Sequence, residues 1–403
     1  MRRLHLTIVL VGIGGMGSVY VAALLEKAEE GLFQIVGAVD PSPERCPYLA
    51  ELKSLNVPLY DSLEKFYARR KAELAIISSP IHFHCPQTCL ALAQGSYGLC
   101  EKPVSATIQE AKQMMEARDM AGKWVAIGYQ WSFSTVIQEL KKDIQKGIFG
   151  KAKRLSCLYL WPRDKAYYHR NDWAGKKCDL RGPWILDSPA NNAMAHDLHN
   201  MLYVLGDEKD RSTHPVEVEA ELYRAYDIQN FDTAAVRSKT EKGVEILFFV
   251  AHATQKDRGP ILSYEFEKGI ILSSGRNSDI KALFFDGTVK NYGNPDREPL
   301  KKWWDCLKGV RSSQTPVYGI EAAASHTLCP NGMQDSMPEI AEFPRELLRI
   351  EGQPESPRIW VEGLNEVLEQ CYGEGLLPSE LSIPWSKKGT KISLAGYNKF
   401  PGG

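Results

Sequence analysis

Residues 6–17 read Leu-Thr-Ile-Val-Leu-Val-Gly-Ile-Gly-Gly-Met-Gly. A short β-branched run leads into the spacing G-x-G-x-x-G, and helical periodicity follows over residues 16–28. In such a strand–turn–helix unit, the first glycine permits a tight turn, the second lets the backbone approach a pyrophosphate, and the third allows close helix–strand packing. The helix N-terminus supplies N–H groups for the phosphates. We therefore predict a dinucleotide-binding turn formed by Gly12, Ile13, Gly14, Gly15, Met16 and Gly17.

An acidic residue closes the next predicted strand, residues 33–39. Asp40 stands at the position where a carboxylate can accept hydrogen bonds from both ribose hydroxyls of a dinucleotide. Because a carboxylate repels a 2′-phosphate, the sequence favours NAD. Ser42 and Arg45 follow closely and could accommodate that phosphate, so NADP stays open.

The pattern of strands and helices changes near residue 130. Before it, strands at 6–11, 33–39, 74–77, 97–100 and 124–127 alternate with helices at 16–28, 86–94 and 107–121, which predicts an α/β Rossmann domain with a doubly wound parallel sheet. After it, helices are expected at 133–146, 190–205, 299–308, 320–334 and 358–372. Strands follow in series at 152–161, 216–226, 244–251, 261–266 and 270–273, which is typical of an α+β domain with an open, mostly antiparallel sheet. The predicted domains are residues 1–130, which bind the dinucleotide, and 131–403, the α+β domain.

Bulk composition excludes several classes of protein. The 403 residues contain 49 Lys and Arg against 50 Asp and Glu, so the basic surplus of a nucleic-acid or membrane-surface binder is missing. No apolar stretch reaches the ~20 residues of a membrane span. The nine cysteines are scattered and odd in number, which favours reduced thiols in a cytoplasmic protein with no metal site.

Two further segments follow predicted strands of the first domain. Ser79, Pro80 and His84 follow the strand at 74–77, and Glu101-Lys102-Pro103 follows the strand at 97–100. The carboxyl ends of parallel strands face the ligand crevice, so Ser79, Pro80, His84, Glu101 and Lys102 are expected near the cofactor. A lysine there can orient a reacting hydroxyl and stabilise developing negative charge. The alternative is a surface lysine ahead of a helix.

The combination of the glycine turn, Pro80-x-x-x-His84, Glu101-Lys102-Pro103 and a later His196 resembles the family of glucose-fructose oxidoreductase and inositol dehydrogenase (Gfo/Idh/MocA). Glu-Lys-Pro is its most specific mark, and the resemblance covers about the first 210 residues. It implies that Lys102 is the active-site lysine, that the second domain holds the substrate, and that the protein is a homo-oligomer, a dimer or a tetramer.

The family also carries an acid and, four residues later, a histidine on one helix. Here His196 takes the histidine position, but Asn192 stands where the acid is expected, which puts the acid–histidine proton relay in doubt. His196 could act as general base because its pKa lies near neutrality. His199 and His326 are weaker candidates, for which a structural position is the alternative.

Residues 161–175 combine aromatic, basic and polar side chains. A carbohydrate uses flat aromatic faces for its C–H surfaces and bidentate donors for its hydroxyl or carboxylate groups. Substrate contacts are therefore predicted for Arg163, Tyr168, Arg170, Asn171 and Trp173. The family resemblance adds Lys102, Asn192 and His196 to these contacts. The alternative is a loop that makes interdomain or subunit contacts.

Together these features predict an oxidoreductase that transfers a hydride between NAD and a secondary alcohol of a sugar, sugar derivative or cyclitol. We expect Lys102 and His196, which come from different domains, to converge on the nicotinamide. Two alternatives stay open: a redox-neutral glycosidase or lyase that oxidises its sugar transiently, and a non-catalytic dinucleotide-sensing binder.

Overall fold

The structure is a computed structural model that describes residues 5–28, 31–312 and 319–402. Its α-helices are α1 (Gly17–Glu26), α2 (Leu49–Ser54), α3 (Leu63–Tyr67), α4 (Ile81–Ala93), α5 (Ile108–Ala121), α6 (Gln130–Phe133), α7 (Thr135–Gln145), α8 (Lys165–His169), α9 (Ala195–Val204), α10 (Lys301–Ser312), α11 (Ile320–Ser336) and α12 (Leu364–Glu374). None of these helices is long and apolar enough to cross a membrane.

The strands fall into three sheets. The first contains β1 (Leu6–Val11), β2 (Phe33–Val39), β3 (Leu59–Tyr60), β4 (Leu74–Ile77), β5 (Tyr97–Cys100) and β6 (Val125–Ile127). The second contains β7 (Ala152–Leu160), β8 (Pro215–Arg224), β9 (Thr233–Thr240), β10 (Glu245–Ala251), β11 (Arg258–Phe266), β12 (Gly269–Ser274), β13 (Ile280–Phe284), β14 (Val289–Gly293), β15 (Ala341–Glu342) and β18 (Ile392–Ser393). The third is the pair β16 (Leu348–Glu351) and β17 (Arg358–Val361).

The chain divides into two compact units. Unit 1 comprises the residues up to Ser105, Gln109–Gln130 and Pro299–Ala323, and unit 2 comprises Ala106–Ile108, Trp131–Glu298 and the residues from Ala324 onward. The segment that contains α10 thus returns to the N-terminal unit, whereas the predicted boundary assigns everything after residue 130 to the second domain.

Unit 1 is built on a parallel six-stranded sheet with the order β3-β2-β1-β4-β5-β6. Its central strands are apolar and buried, because helices cover both faces of such a sheet. The strand order reverses between β1 and β4, so the carboxyl ends of these two strands flank the crevice in which doubly wound folds bind ligands. Trp303 of α10 is fully buried and packs edge-to-face on Phe33, with the ring centroids 5.7 Å apart.

Unit 2 is built on the ten-stranded mixed sheet, whose main path runs β14-β13-β12-β11-β7-β10-β9-β8-β15. Its neighbours are antiparallel except β7–β10 and β8–β15. Leu364 and Leu368 of α12 lie in the same buried cluster as Leu158 of β7 and Leu247 of β10. This apolar contact fixes one face of the sheet.

The predicted fold class is confirmed: a Rossmann-type parallel sheet precedes a mostly antiparallel one. Two helix predictions need correction. The helix predicted over 358–372 begins only at Leu364, because residues 358–361 include Ile359 and Val361, which favour a strand, and Gly363 adopts φ 77°. The helix predicted from residue 86 begins at Ile81, since Pro80 precedes its first turn. Strands β3, β9 and β13 to β18 are not among the predicted ones.

Candidate active site

The glycine turn joins β1 to α1 in unit 1. Gly12 has φ 79°, and a Cβ added there would lie 2.8 Å from the backbone nitrogen of Ser79. A Cβ at Gly17 would lie 2.0 Å from the Gly12 carbonyl oxygen, so neither position accepts a side chain. At Gly15, by contrast, an added Cβ would meet no atom within 4 Å. The N–H groups of Gly15 and Met16 enter none of the backbone hydrogen bonds around the turn. The turn therefore fits a pyrophosphate.

Asp40 closes β2 beside this turn. Its Oδ2 accepts N–H bonds from Ile13 at 2.9 Å and Gly14 at 3.4 Å, and its Oδ1 accepts one from Ser42 at 2.9 Å. Because a carboxylate oxygen can accept two hydrogen bonds, Oδ1 keeps capacity for a ribose hydroxyl. Asp40 thus stabilises the turn through these hydrogen bonds, and it also stands at the expected ribose position. The sequence indicated only the second role.

Ser79 and Pro80 follow β4 at the switch point, as predicted, but His84 lies in the first turn of α4 and is fully buried. Its Nδ1 is 2.7 Å from the Pro103 carbonyl oxygen and its Nε2 is 2.9 Å from the Ser79 carbonyl oxygen. Burial lowers its pKa. His84 therefore joins the loops that follow β4 and β5, and its contact with the cofactor stays a prediction.

Glu101 follows β5 and points into the unit. Its buried Oε1 accepts a hydrogen bond from the Tyr20 hydroxyl at 2.5 Å and forms an ion pair with Lys302 of α10. Burial alone would raise the pKa of Glu101, but the charge of Lys302 and the Tyr20 hydrogen bond bring it below the usual value. The Glu101 carboxylate is therefore held inside unit 1, and the cofactor contact of this residue stays a prediction.

Lys102 is half-buried and directly follows Glu101 in the sequence. Its backbone N–H donates to Glu101 Oε2 at 3.1 Å, and its peptide bond to Pro103 is cis. The buried ion pair thereby holds the backbone that carries the lysine. Sequence reasoning missed Lys302 and Tyr20, since neither lies near Lys102 in the sequence.

His196 lies in the first turn of α9 in unit 2. A π-helical turn, Pro189–Ala193, precedes this helix, and Met194 separates the two. Asn192 and His196 therefore do not share one regular α-helical face, which corrects the expectation drawn from their spacing. Such π-turns occur often at functional sites.

A carboxylate does lie beside Asn192. The Asn192 amide donates to Asp187 Oδ1 at 2.8 Å, and Asp187 Oδ2 accepts the Gly175 N–H at 2.7 Å. Asp187 is buried. The acid that the sequence lacks at position 192 is thus supplied one hydrogen bond away. The Asp187-Ser188-Pro189 start of the helical region was the signal that could have indicated it.

The two weaker histidine candidates are buried. His199 Nε2 lies 3.0 Å from Ser132 Oγ, and burial followed by the charges of His326 and His196 lowers its pKa well below the usual value. His326 Nε2 lies 3.0 Å from the Ala190 carbonyl oxygen. Both side chains are therefore packed inside unit 2, and the lowered pKa of His199 favours its neutral form.

The predicted substrate loop follows β7, and its residues divide into two groups. Tyr168 is buried with its hydroxyl 2.8 Å from His252 Nδ1, and Asn171 Oδ1 accepts the N–H groups of Trp173 and Ala174. Both side chains therefore stabilise the loop, and their substrate contacts stay predictions. Arg163 and Trp173 are half-buried and Arg170 is exposed, so these three stay available for a ligand.

Asp197 was not predicted. It is buried in α9 next to His196, and burial together with the charge of Asp296 raises its pKa to about 7 from 3.8. The folded protein therefore keeps a proton that the unfolded chain releases between about pH 4 and 7, so this group lowers stability as pH rises through that window.

Replacing Asp197 tests how much the ionisation of its carboxyl group lowers the free energy of unfolding. Asp197→Asn is expected to stabilise the protein above pH 7 by on the order of 4 kcal/mol and by less at pH 5. Denaturant unfolding at both pH values measures the difference, with the exposed Asp227→Asn as control. A gain that is equal at the two pH values would contradict the raised pKa.

All nine cysteines are free thiols. Across residues 5–28, 31–312 and 319–402, no group of three or more His, Cys, Asp and Glu side chains could hold a metal ion.

Unit 1 thus has the topology and turn of a dinucleotide-binding Rossmann domain. A family model described as an oxidoreductase family with an NAD-binding Rossmann fold matches residues 6–129. Residues 6–129 thus match the NAD-binding domain of the Gfo/Idh/MocA oxidoreductases, which confirms for this part of the chain the resemblance predicted from the sequence. The predicted cofactor, NAD, agrees with the family model.

Individual relatives are similar over part of the chain. The rhizopine catabolism protein MocA of Rhizobium meliloti is 28% identical over 149 residues, which are 37% of this chain and 45% of the relative. An inositol 2-dehydrogenase of Burkholderia ambifaria is 22% identical over 204 residues, 50% of this chain and 55% of the relative. The chain therefore spans about half the length of these curated relatives.

The fold is similar over a longer stretch. The WlbA dehydrogenase of Chromobacterium violaceum, solved in complex with NADH and UDP-GlcNAcA, aligns with a TM-score of 0.69 and 20% identity. The alignment covers 83% of this chain and 94% of that one. Both units thus follow a fold known from dehydrogenases.

Proposed function

We propose that this protein is an NAD-dependent dehydrogenase that oxidises a secondary alcohol of a sugar, a sugar derivative or a cyclitol. The proposal rests above all on one observation in unit 1. The glycine turn after β1 and Lys102 after β5 lie at the same edge of one parallel sheet, and a buried ion pair holds the lysine's backbone. The sugar and cyclitol dehydrogenases among the relatives support the substrate class.

Each candidate residue has a separate task in the proposal. Lys102 orients the substrate oxygen and stabilises its developing negative charge, because an ammonium in a partly desolvated site interacts strongly with an oxyanion. His196 accepts the hydroxyl proton, for which an imidazole is suited near neutral pH. NAD, when bound, accepts the hydrogen on the alcohol carbon as hydride.

A substrate panel tests the proposed function. The purified protein is mixed with NAD or NADP and with neutral sugars, uronates, sugar phosphates and cyclitols, and the absorbance of the reduced nicotinamide is followed. We expect turnover with at least one member of the panel. Dinucleotide binding with no reduction by any compound, or release of a sugar substituent with no net reduction, would contradict the proposal.

Asp40 is expected to decide the choice of dinucleotide. Asp40→Ala removes the ribose acceptor and the brace of the glycine turn, so NAD affinity should fall roughly ten- to hundred-fold. NADP should lose less or gain affinity, because the carboxylate no longer repels its 2′-phosphate. Calorimetric titration with both dinucleotides measures this, with exposed Glu44→Gln in the adjacent turn as control. An unchanged preference would show that Asp40 does not face the ribose.

A further inference from the structure

A stack of alternating arginine and aromatic side chains runs through the loop after β7 in unit 2. The Arg163 guanidinium carbon lies 3.4 Å from the Trp161 ring centroid and 4.5 Å from that of Tyr167. The Arg170 guanidinium carbon lies 3.8 Å from the Tyr167 ring centroid and 5.2 Å from that of Trp173. Arg276, which follows β12, lies 4.4 Å from the Trp161 centroid. Three guanidinium groups are thus collected around a few rings.

The positive charge of this stack is only partly balanced. Arg276 is paired with Asp257, with 2.5 Å between Nη2 and Oδ2, and donates to the Tyr159 hydroxyl at 2.8 Å. Arg163 forms no ion pair with any described residue. The Arg170 guanidinium donates to the Tyr167 carbonyl oxygen and forms no ion pair with any described residue. Two of the three guanidinium groups therefore have no counter-charge in the part of the chain that the structure describes.

The ring contacts of Arg163 do not use the N–H donors of its guanidinium group. A guanidinium carries five N–H donors in its plane, and those of Arg163 make no hydrogen bond, although its Nε is buried. Burial and then the nearby charges of Arg170 and Arg276 disfavour its charged form, so the isolated cluster is electrostatically costly. An arginine in contact with two rings is, however, pre-organised to present its fork to a carboxylate or phosphate.

The neighbouring His252 does not add a charge to the cluster. It is buried, its ring lies 5.2 Å from that of Tyr167, and burial together with Arg163 and Arg170 lowers its pKa well below the usual value. Its Nε2 is buried with no hydrogen-bond partner. The charge of Asp187 also reaches Tyr167, and this carboxylate already binds Asn192 and Gly175.

We propose that Arg163 and Arg170 form an anion site, so that the substrate is a carboxylated or phosphorylated sugar instead of a neutral one. This inference rests on the proposed function, since it names the substrate class of the same protein. The fork of Arg163 binds two oxygens of the anionic group, and Arg170 adds a second positive charge from the exposed end of the stack. Carboxylate and phosphate share this chemistry, and the experiment distinguishes them.

The test compares matched ligands on the NAD-loaded protein. Binding of a neutral hexose, the corresponding uronate and the corresponding hexose phosphate is measured by calorimetry, and kcat/KM is measured for the same three. We expect the uronate or the phosphate to be preferred at least tenfold, with affinity that falls as salt rises. The preferred anion, the uronate or the phosphate, shows whether the site binds a carboxylate or a phosphate group.

Variants assign the preference to the stack. Arg163→Gln should weaken binding of the preferred anion roughly ten- to hundred-fold and change the neutral hexose little. Exposed Arg170→Gln, which is not expected to perturb folding, should give a smaller loss, and exposed Arg69→Gln in unit 1 controls for net charge. Equal handling of all three ligands, or equal losses for the anion and the neutral hexose in Arg163→Gln, would overturn the inference.

The two proposals fail in different ways. Anion binding that depends on Arg163, without reduction of NAD, would contradict the proposed function and support the anion site. Reduction of NAD by a neutral sugar, at a rate that replacement of Arg163 or Arg170 does not change, would support the proposed function and contradict the anion site.

Discussion

Lys102→Ala is expected to lower kcat for NAD reduction by about 10²- to 10³-fold while NAD affinity stays near that of the unaltered protein. The lysine is half-buried, so its ammonium is worth more to a developing oxyanion than it would be in water. Its removal leaves the glycine turn and Asp40 intact. Steady-state kinetics with a substrate from the panel and calorimetry with NAD measure the two effects separately.

Lys71→Ala is the matched control, because Lys71 is an exposed lysine of the same unit. It should leave both kcat and NAD affinity unchanged. Near-normal kcat in Lys102→Ala would contradict the role proposed for Lys102, whereas a parallel loss of NAD binding would mean that the lysine serves the cofactor.

Breaking the buried pair between Glu101 and Lys302 is expected to destabilise unit 1 by about 3–5 kcal/mol. The two side chains are only 6% and 2% exposed, so removing one partner leaves the other charge buried without compensation. Lys302→Met and Glu101→Gln should each show this loss in denaturant unfolding, while exposed Lys308→Met in the same helix should not.

The double variant distinguishes an ion pair from packing alone. Removing both charges should recover a large part of the loss, because no uncompensated charge remains. The double variant should still have a reduced kcat, since the Lys102 backbone has lost its carboxylate acceptor. Additive losses in the double variant would contradict the coupling.

The fold of unit 1 could be predicted closely from the sequence because its strands are short apolar runs between turn residues. The bounds of β1, β2, β4 and β5 agree with those predicted. In unit 2 the alternation is weaker. Strand β9 carries Arg237 and Lys239 among small residues, and β13 and β14 are largely exposed, so hydrophobic periodicity did not indicate them.

The candidate site was predictable where one segment carries the chemistry. The glycine turn, Asp40 and Lys102 lie at strand ends, whose position in a parallel sheet follows from topology. Lys302, Arg276 and Asp187 come from remote segments, and nothing local in the sequence indicates which groups they meet. The sequence predicts that Glu101 and His84 lie near the cofactor because each follows a strand of the parallel sheet. It does not indicate the buried partners of these two side chains.

Transfer of hydride from a substrate carbon to NAD is tested most directly with a substrate deuterated at the carbon that is oxidised, followed by mass spectrometry of the nicotinamide product. We expect the reduced nicotinamide to carry the deuterium, and we expect Lys102→Ala to form little of it. Deuterium released into water, or a substrate converted while the nicotinamide stays unlabelled, would contradict hydride transfer to NAD.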